Sequence, residues 1–374
     1  MPLWMFCFQA LLVGSTIYLA APRRVILQAQ IVVWTVGVIT IASVYGVSDQ
    51  VLFYSNDQIH YSWVVRIFRD WNWMSETSVD GAKLPYTLAG LPLALVGIHE
   101  TLALKTVSLI CLLILSQLLL NRFSEVHLKS QLKILYFTGC GLIGSFFSLL
   151  ALRETMMMLL TYYFATAKST IARVLSLFAL FLLRPHLAGA LILAEVLLVI
   201  WRWLGFSRRH SFGEVPALLV VGVIVGNVVF TWQLRSATLM NIPLFYEWGI
   251  AEATRIASNF VGLQFLTVDR VNFSIASLLW LRVILSETLA IPTVFTVLVL
   301  FLNRHASYVS RLTFLTFAIY VGIATNTDFN SFRQNIPLMP LMGLTILEFL
   351  SERKGEKKAS KSIPINARLA RESE

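Results

Sequence analysis

Apolar segments recur along almost the whole chain and are separated by short polar stretches. These segments are roughly 14–22 residues long, close to the length that a helix needs to cross the hydrocarbon of a bilayer. The pattern predicts spans at about 3–21, 25–46, 102–120, 134–152, 155–167, two short helices within 174–204, then 215–234, 283–302, 312–325 and 336–350. We therefore predict an all-α, polytopic integral membrane protein with about eleven transmembrane helices.

The first long polar interval, residues 47–101, is predicted to be an outer loop with one or two interfacial helices. An amphipathic helix is expected to start near Asn56, because an apolar arc follows it at 100° per residue. That arc consists of Trp63, Val64, Ile67, Phe68 and Trp71. Residues 84–98 are apolar but short and are broken by Pro92, which favours a second interfacial or re-entrant helix.

Basic residues concentrate in alternate turns between the predicted spans, as in proteins oriented by the positive-inside rule. A turn with Arg23 and Arg24 is predicted to be cytoplasmic, and Lys168 and Arg173 are assigned to another inner turn. This places the N-terminus outside and the C-terminus in the cytoplasm. Residues 1–350 then form one transmembrane domain, with outer loops at about 47–101 and 235–282. Residues 351–374 form a basic cytoplasmic tail that we expect to be disordered.

Composition supports the membrane assignment and excludes several other classes. The chain of 374 residues is 57% hydrophobic and 13% charged, so the bilayer must serve as solvent for much of its surface. The basic residues that give the net charge of +10 cluster in the turns between apolar runs. Nucleic acid is therefore not an expected partner. Cys7, Cys111 and Cys140 lie in apolar runs without ligand spacing, so neither a disulfide framework nor a metal site is indicated, and no cofactor is implied.

Candidate functional residues are charged or polar side chains at predicted outer ends of the spans. A charge near hydrocarbon costs about 2.5–3.5 kcal/mol unless it faces a partner or a polar cavity. Guanidinium groups suit phosphate, and a carboxylate suits deprotonation of a sugar hydroxyl. We assign catalysis to Asp57. The residues assigned to substrate binding are Asp49, Arg153, Glu154, Arg184, His186 and Arg333.

Each of these residues also has a structural interpretation. Asp57 would cap the amphipathic helix through the free N–H groups of its first turn. Arg153 and Glu154 would form an ordinary ion pair in a helix turn. Arg184 would snorkel beside a helix-breaking proline, and Arg333 would anchor a helix at the interface.

Several of these stretches resemble known families of membrane enzymes. Asp57-Gln58-Ile59-His60-Tyr61 resembles the D-x-x-x-Y region of bacterial polysaccharide polymerases of the Wzy and EpsG kind. Leu152-Arg153-Glu154 is similar to the arginine-plus-polar pair that those proteins carry before a helix. Leu183-Arg184-Pro185-His186-Leu187 falls where they have a polar break. Arg333-Gln334-Asn335-Ile336-Pro337 resembles the late R-x-x-x-P element of GT-C-class glycosyltransferases, whose fold is also expected here.

The resemblance implies a glycosyltransferase of the bacterial cytoplasmic membrane that polymerises lipid-linked repeat units on the outer leaflet. Asp57 would activate or orient the acceptor, and Arg153, Arg184 and Arg333 would hold phosphate. The implied partners are a polyprenyl-linked sugar or oligosaccharide, membrane lipid, and a flippase or chain-length regulator of the same pathway. The alternatives are a GT-C enzyme that adds one sugar from a polyprenyl monophosphate, a flippase or transporter, and a purely structural membrane subunit.

Overall fold

The chain folds as an assembly of helices in the computed structural model. The structure describes residues 1–47, 55–71, 83–125, 141, 143–204, 214–238, 246, 249–250, 307–324, 336–346 and 348. Within these ranges the chain forms helices and turns, with no strand. The prediction of an all-α protein is confirmed for this part of the chain.

The helices are numbered in chain order. They are α1 (Leu3–Ala20), α2 (Val25–Tyr45), α3 (Ser55–Arg69), α4 (Leu84–Leu95), α5 (Glu100–Glu125), α6 (Glu154–Thr166), α7 (Thr170–Leu183), α8 (Pro185–Trp203), α9 (Glu214–Thr238) and α10 (Tyr308–Ala324). A 3₁₀ turn at Ile336–Leu338 opens a last apolar helical segment that reaches Ile346.

Among the residues that the structure describes, four helices are long and apolar enough to cross a membrane: α1, α2, α5 over Glu100–Arg122, and α8. Further apolar helices, including α4 and α7, are shorter. Large apolar side chains on the outside of α1, α2 and α7 are exposed, as they would be towards lipid. The apolar helices indicate a membrane-embedded protein. The count of about eleven spans stays a prediction, because residues 283–302 lie outside the described ranges.

Several predicted boundaries agree with the structure. Helix α3 begins at Ser55, one residue before the predicted start, and α4 occupies the short apolar segment at Leu84–Leu95. The apolar run at 174–204 is divided at Arg184, where Pro185 opens α8. The turn assigned to Lys168 and Arg173 is confirmed for Lys168, which lies between α6 and α7. The assignment of Arg173 was wrong, because α7 begins at Thr170 and Arg173 lies inside it.

Two buried apolar clusters hold the helices together. A smaller cluster joins α1, α2 and the first half of α5 around the fully buried Trp34, whose indole N–H donates to the carbonyl of Ser148 at 3.0 Å. The larger cluster includes side chains of α3 to α10 and of the segment after Ile336. The elements that begin at Leu84, Glu154 and Pro185 all belong to this larger cluster.

Helices α9 and α10 cross at very short distance because small residues face each other. A Cβ atom added to Gly226 would lie 2.2 Å from the carbonyl oxygen of Ile319. One added to Gly322 would lie 2.1 Å from the carbonyl oxygen of Val223. Gly222 and Gly226 are four residues apart, the spacing that lets helix backbones approach in membranes. This contact fixes α10, which carries Tyr320 near its end.

Candidate functional site: a cationic cluster at three helix starts

Three cations occupy the residue immediately before an apolar helix. Lys83 precedes α4, Arg153 precedes α6 and Arg184 precedes α8, and none of these side chains makes a capping hydrogen bond. A helix start carries a partial positive charge and free N–H donors, so cations there are electrostatically unfavourable. Two carboxylates, Asp57 and Glu154, stand in first turns of helices nearby. We call these five residues the cationic cluster.

Charge interactions place Lys83 near Arg153, Arg184 and Asp57. Burial lowers the pKa of Lys83, the charges of Arg153 and Arg184 lower it further, and Asp57 opposes them. Lys83 also has φ of 50°, in the left-handed region that favours glycine. This backbone conformation costs about 1–2 kcal/mol, so the surrounding packing holds an unfavourable cation in an unfavourable conformation.

Arg184 and Glu154 form the buried pair of the cluster. One terminal nitrogen of Arg184 lies 3.7 Å from Oε1 of Glu154, and both side chains are almost fully buried. Leu180 fixes the backbone of Arg184 by accepting its N–H at 2.6 Å. His186, in the first turn of α8, lies within electrostatic reach of Arg184 and Lys83. A charge pair at this depth neutralises one of the three cations, so the cluster keeps positive character.

Arg153 lies beside an aromatic ring, and two of its guanidinium nitrogens make no hydrogen bond to the residues that the structure describes. Its guanidinium carbon lies 5.9 Å from the ring centroid of Tyr61 on α3, within range of a cation–π interaction. Its Nε and Nη1 atoms are buried and have no hydrogen-bond partner among the residues that the structure describes. Buried guanidinium nitrogens normally donate hydrogen bonds, so these two nitrogens can donate to a bound anion.

A chain of hydrogen bonds fixes the turn that carries Arg153. The carbonyl of Leu152, just before it, accepts the hydroxyl of Ser108 on α5 at 2.9 Å. The hydroxyl of Tyr86 on α4 lies 2.9 Å from that of Ser108, and its ring contacts Tyr61 edge-on at 5.8 Å. The fully buried Tyr86 therefore links the starts of α4 and α6 to helix α3.

Tyr320 joins the cluster from α10. Its hydroxyl is buried and has no hydrogen-bond partner in the described part of the chain. It lies within electrostatic reach of Arg184 and Arg153. The hydroxyl of Thr155, next to Glu154, is also buried without a partner there. These two hydroxyls add uncharged donors to the cations.

The structure brings together many of the residues singled out from the sequence. Asp57, Arg153, Glu154, Arg184 and His186 all lie at or beside the cationic cluster. Asp57 lies in the first turn of α3 instead of at its cap, because the helix already begins at Ser55.

Two other candidate residues, Asp49 and Arg333, lie outside the described ranges, as do the tail 351–374 and most of the predicted loop 235–282. Their assignments stay predictions.

Sequence reasoning missed Lys83 and Tyr320. Lys83 carried a usable signal, because a cation directly before a helix with proline in its first turn opposes the helix dipole. Tyr320 carried none, since an aromatic residue in an apolar run is typical of packing.

A second charged group, which we call the Arg173 network, has a different character. Arg173 on α7 donates to Glu195 of α8 at 2.9 Å, to the hydroxyl of Tyr308 on α10 at 3.0 Å and to the carbonyl of Phe164 at 3.0 Å. Tyr308 also donates to Glu195. The network joins four helices, α6, α7, α8 and α10, and pairs its own charges, so it fits a structural role.

Neither metal chemistry nor a known relative adds to this description. Among the described residues, no group of three or more His, Cys, Asp or Glu side chains is arranged to hold a metal ion. Comparison of the chain with family models, curated proteins and solved structures finds no match. The cationic cluster is therefore the feature of the molecule that indicates a function.

Proposed function

We propose that this protein is a membrane glycosyltransferase that acts on sugars linked to polyprenyl phosphate or diphosphate. In this proposal it polymerises polysaccharide repeat units at the outer face of the bacterial cytoplasmic membrane. The observation that carries the proposal is the placement of Lys83, Arg153 and Arg184 at three helix starts. Helix N-termini and cations together form an anion site, and its position among apolar helices suits a phosphate that is attached to a lipid.

The proposed reaction uses the two kinds of charge in the cluster. A hydroxyl of the acceptor sugar attacks the anomeric carbon of the donor and passes its proton to the carboxylate of Asp57. The bond between that carbon and the phosphate oxygen breaks, and its electron pair leaves with the phosphate. Lys83, Arg153 and Arg184 stabilise the charge that develops on the departing oxygen. Glu154 holds Arg184 in position.

The remaining candidates extend this proposal. Arg333 would add a further phosphate ligand, and Asp49 and His186 would contact the sugars. The topology that accompanies the proposal is a GT-C-like bundle of about eleven spans, with the N-terminus outside and the C-terminus in the cytoplasm. In that orientation α6 and α8 both begin at the outer face, where a polyprenyl-linked repeat unit is presented.

The test is the length distribution of polysaccharide from cells that carry Asp57→Asn or Arg153→Gln at unchanged protein level. We expect the ladder of chain lengths on a gel to collapse to single repeat units in both variants. Arg173→Gln, in the Arg173 network, is the matched control and should keep the ladder. Full-length ladders from both cluster variants would refute the proposal. A repeat unit that lacks one sugar would instead favour an enzyme that adds a single sugar.

A further inference from the structure

A second cavity lies on the far side of α3 from the cationic cluster. It is an open cavity with a volume of about 600 Å³, lined by the ends of α1 and α2, by α3 and by the start of α5. Its lining includes Ile59, Ser62, Trp63, Arg66, His99 and Thr101. We call it the α3 cavity. Its volume falls within the range of about 300–1,000 Å³ that is typical of small-molecule sites.

Helix α3 separates the α3 cavity from the cationic cluster. Successive residues of a helix are rotated by about 100°, so Asp57 and Tyr61 share one face. Ile59, Trp63 and Arg66 lie on the opposite face, roughly 180° around the axis. The first pair faces the cationic cluster, and the second set lines the cavity. One helix therefore presents a different surface to each of two chambers.

The charged side chains around the α3 cavity are paired with one another, and the N-terminal amino group also lies within electrostatic reach of His99. The Nε of Arg66 donates to Glu100 at 2.6 Å, and Arg69 lies 3.4 Å from the same carboxylate. Arg69 also donates to Asp70 at 2.8 Å. Burial lowers the pKa of His99, whose ring lies 3.5 Å from Glu100. A neutral ligand therefore suits this cavity better than an anion.

The lining also offers both surfaces that a sugar ring needs. Trp63 is partly exposed and supplies an aromatic face. The hydroxyls of Ser62 and Thr101 lie 3.1 Å apart, so one of them donates a hydrogen bond to the other. Lone pairs remain on these oxygens and can accept a hydrogen bond from a ligand. The side chain of Arg66 is 54% exposed despite its ion pair, which leaves other guanidinium N–H groups able to donate.

We propose that the α3 cavity binds the uncharged glycan of the acceptor chain, with a sugar ring on Trp63 and its hydroxyls bonded to Ser62, Thr101 and Arg66. This inference rests on the proposed function and names the substrate class of a second subsite. The cationic cluster holds the phosphate of one substrate, and α3 positions the saccharide of the other. A polymerase joins two substrates, so it needs a site for each of them.

The direct test measures binding of free glycan to the purified full-length protein in detergent. The probe is the oligosaccharide of the strain of origin, released from its lipid by mild acid, and the readout is calorimetry. We expect Trp63→Leu, which keeps apolar bulk, to weaken binding about tenfold. Trp63→Phe should retain most of the affinity. Trp71→Ala is the matched control, since Trp71 follows the end of α3 and is 77% exposed outside the cavity.

Different outcomes separate this inference from the proposed function. Equal glycan affinity in Trp63→Leu and wild type would overturn the inference, as would Trp63-dependent binding of polyprenyl phosphate that carries no sugar. Arg153→Gln should bind the released glycan normally while failing to polymerise lipid-linked repeat units. Normal polymer from Arg153→Gln, together with glycan binding that depends on Trp63, would refute the proposed function but retain the glycan site.

Discussion

The charged groups at the two ends of α7 differ in how their arginines are surrounded. Near the start of the helix, Arg173 donates to three acceptors on neighbouring elements. Directly after its end, Arg184 has a carboxylate at 3.7 Å and two further cations nearby. At 1.5 Å per residue these two arginines lie about 17 Å apart along the same helix.

The comparison separates a structural network from a candidate binding site. The Arg173 network contains the acceptors that its donors need, so it stabilises the fold without a ligand. The cationic cluster has three cations, three helix starts and two carboxylates, and Arg153 keeps buried donors without acceptors in the described part of the chain. Unpaired buried donors are costly, so a bound anion would complete the cluster.

The largest expected effect comes from the crossing of α9 with α10, because α10 passes both the Arg173 network and the cationic cluster. Gly226→Leu should abolish folding, because any Cβ there meets the Ile319 carbonyl at 2.2 Å. Loss of this contact displaces α10, which carries Tyr308 at one end and Tyr320 near the other. The measurement is the monodisperse yield from detergent extraction, with the exposed Val229→Ala on the same helix as control. Normal yield from Gly226→Leu would contradict the close crossing.

Substitution of Arg184 should remove activity far more than substitution of Arg173. We expect Arg184→Gln to lower the transfer rate by roughly 100-fold or more, since it removes a cation from a developing phosphate charge. Arg173→Gln should lower stability by about 1–2 kcal/mol, because its ion pair is partly exposed. Its transfer rate per folded molecule should stay within a few-fold of wild type.

A double variant separates stability from chemistry in this prediction. Arg184→Gln alone leaves Glu154 buried beside a neutral side chain, which should be destabilising. Arg184→Gln with Glu154→Gln should recover the thermal midpoint but not the transfer rate. Recovery of both would assign the pair a purely structural role.

Alkaline pH should weaken anion binding through Lys83. Burial and the neighbouring arginines lower the pKa of Lys83, so it loses its charge below the ordinary value of 10.5. Affinity for polyprenyl phosphate should then fall about tenfold as pH rises through this lowered pKa. Lys83→Arg stays charged and should show no such fall. Identical pH profiles for the two proteins would exclude Lys83 from the anion site.

The smallest effect is expected for Tyr320→Phe. The substitution removes a buried hydroxyl that has no partner in the described residues, so stability should be unchanged or higher by up to about 1 kcal/mol. Transfer should fall roughly three- to tenfold if the hydroxyl donates to substrate. A lower thermal midpoint with unchanged transfer would show that Tyr320 is only a packing residue.

Much of the local structure was predictable because it depends on local chemistry. The lengths of the apolar runs located α1 and α2, the amphipathic arc located α3, and Pro185 located the break after α7. Charges that interrupt apolar runs, such as Arg153 and Arg184, were recognised because hydrocarbon penalises them.

Features that depend on tertiary packing could not be predicted in this way. Ser62 belongs to the polar arc of α3, yet it is buried against Thr101 because α5 packs there. Glu195 lies in the middle of an apolar helix, and only the approach of α7 and α10 shows its partners. The α3 cavity is likewise formed by four helices, so no single segment contains a signal for it.

The central claim is that the cationic cluster binds the phosphate of a lipid-linked sugar. Substitution of Arg153 tests it most directly, because its Nε and Nη1 atoms make no hydrogen bond among the described residues, so no described partner loses one. The measurement is equilibrium binding of polyprenyl phosphate to the purified full-length protein in lipid nanodiscs. We expect Arg153→Gln to raise the Kd about 10- to 100-fold at an unchanged thermal midpoint. Arg173→Gln should leave the Kd unchanged. Equal Kd values for wild type and Arg153→Gln would contradict the claim.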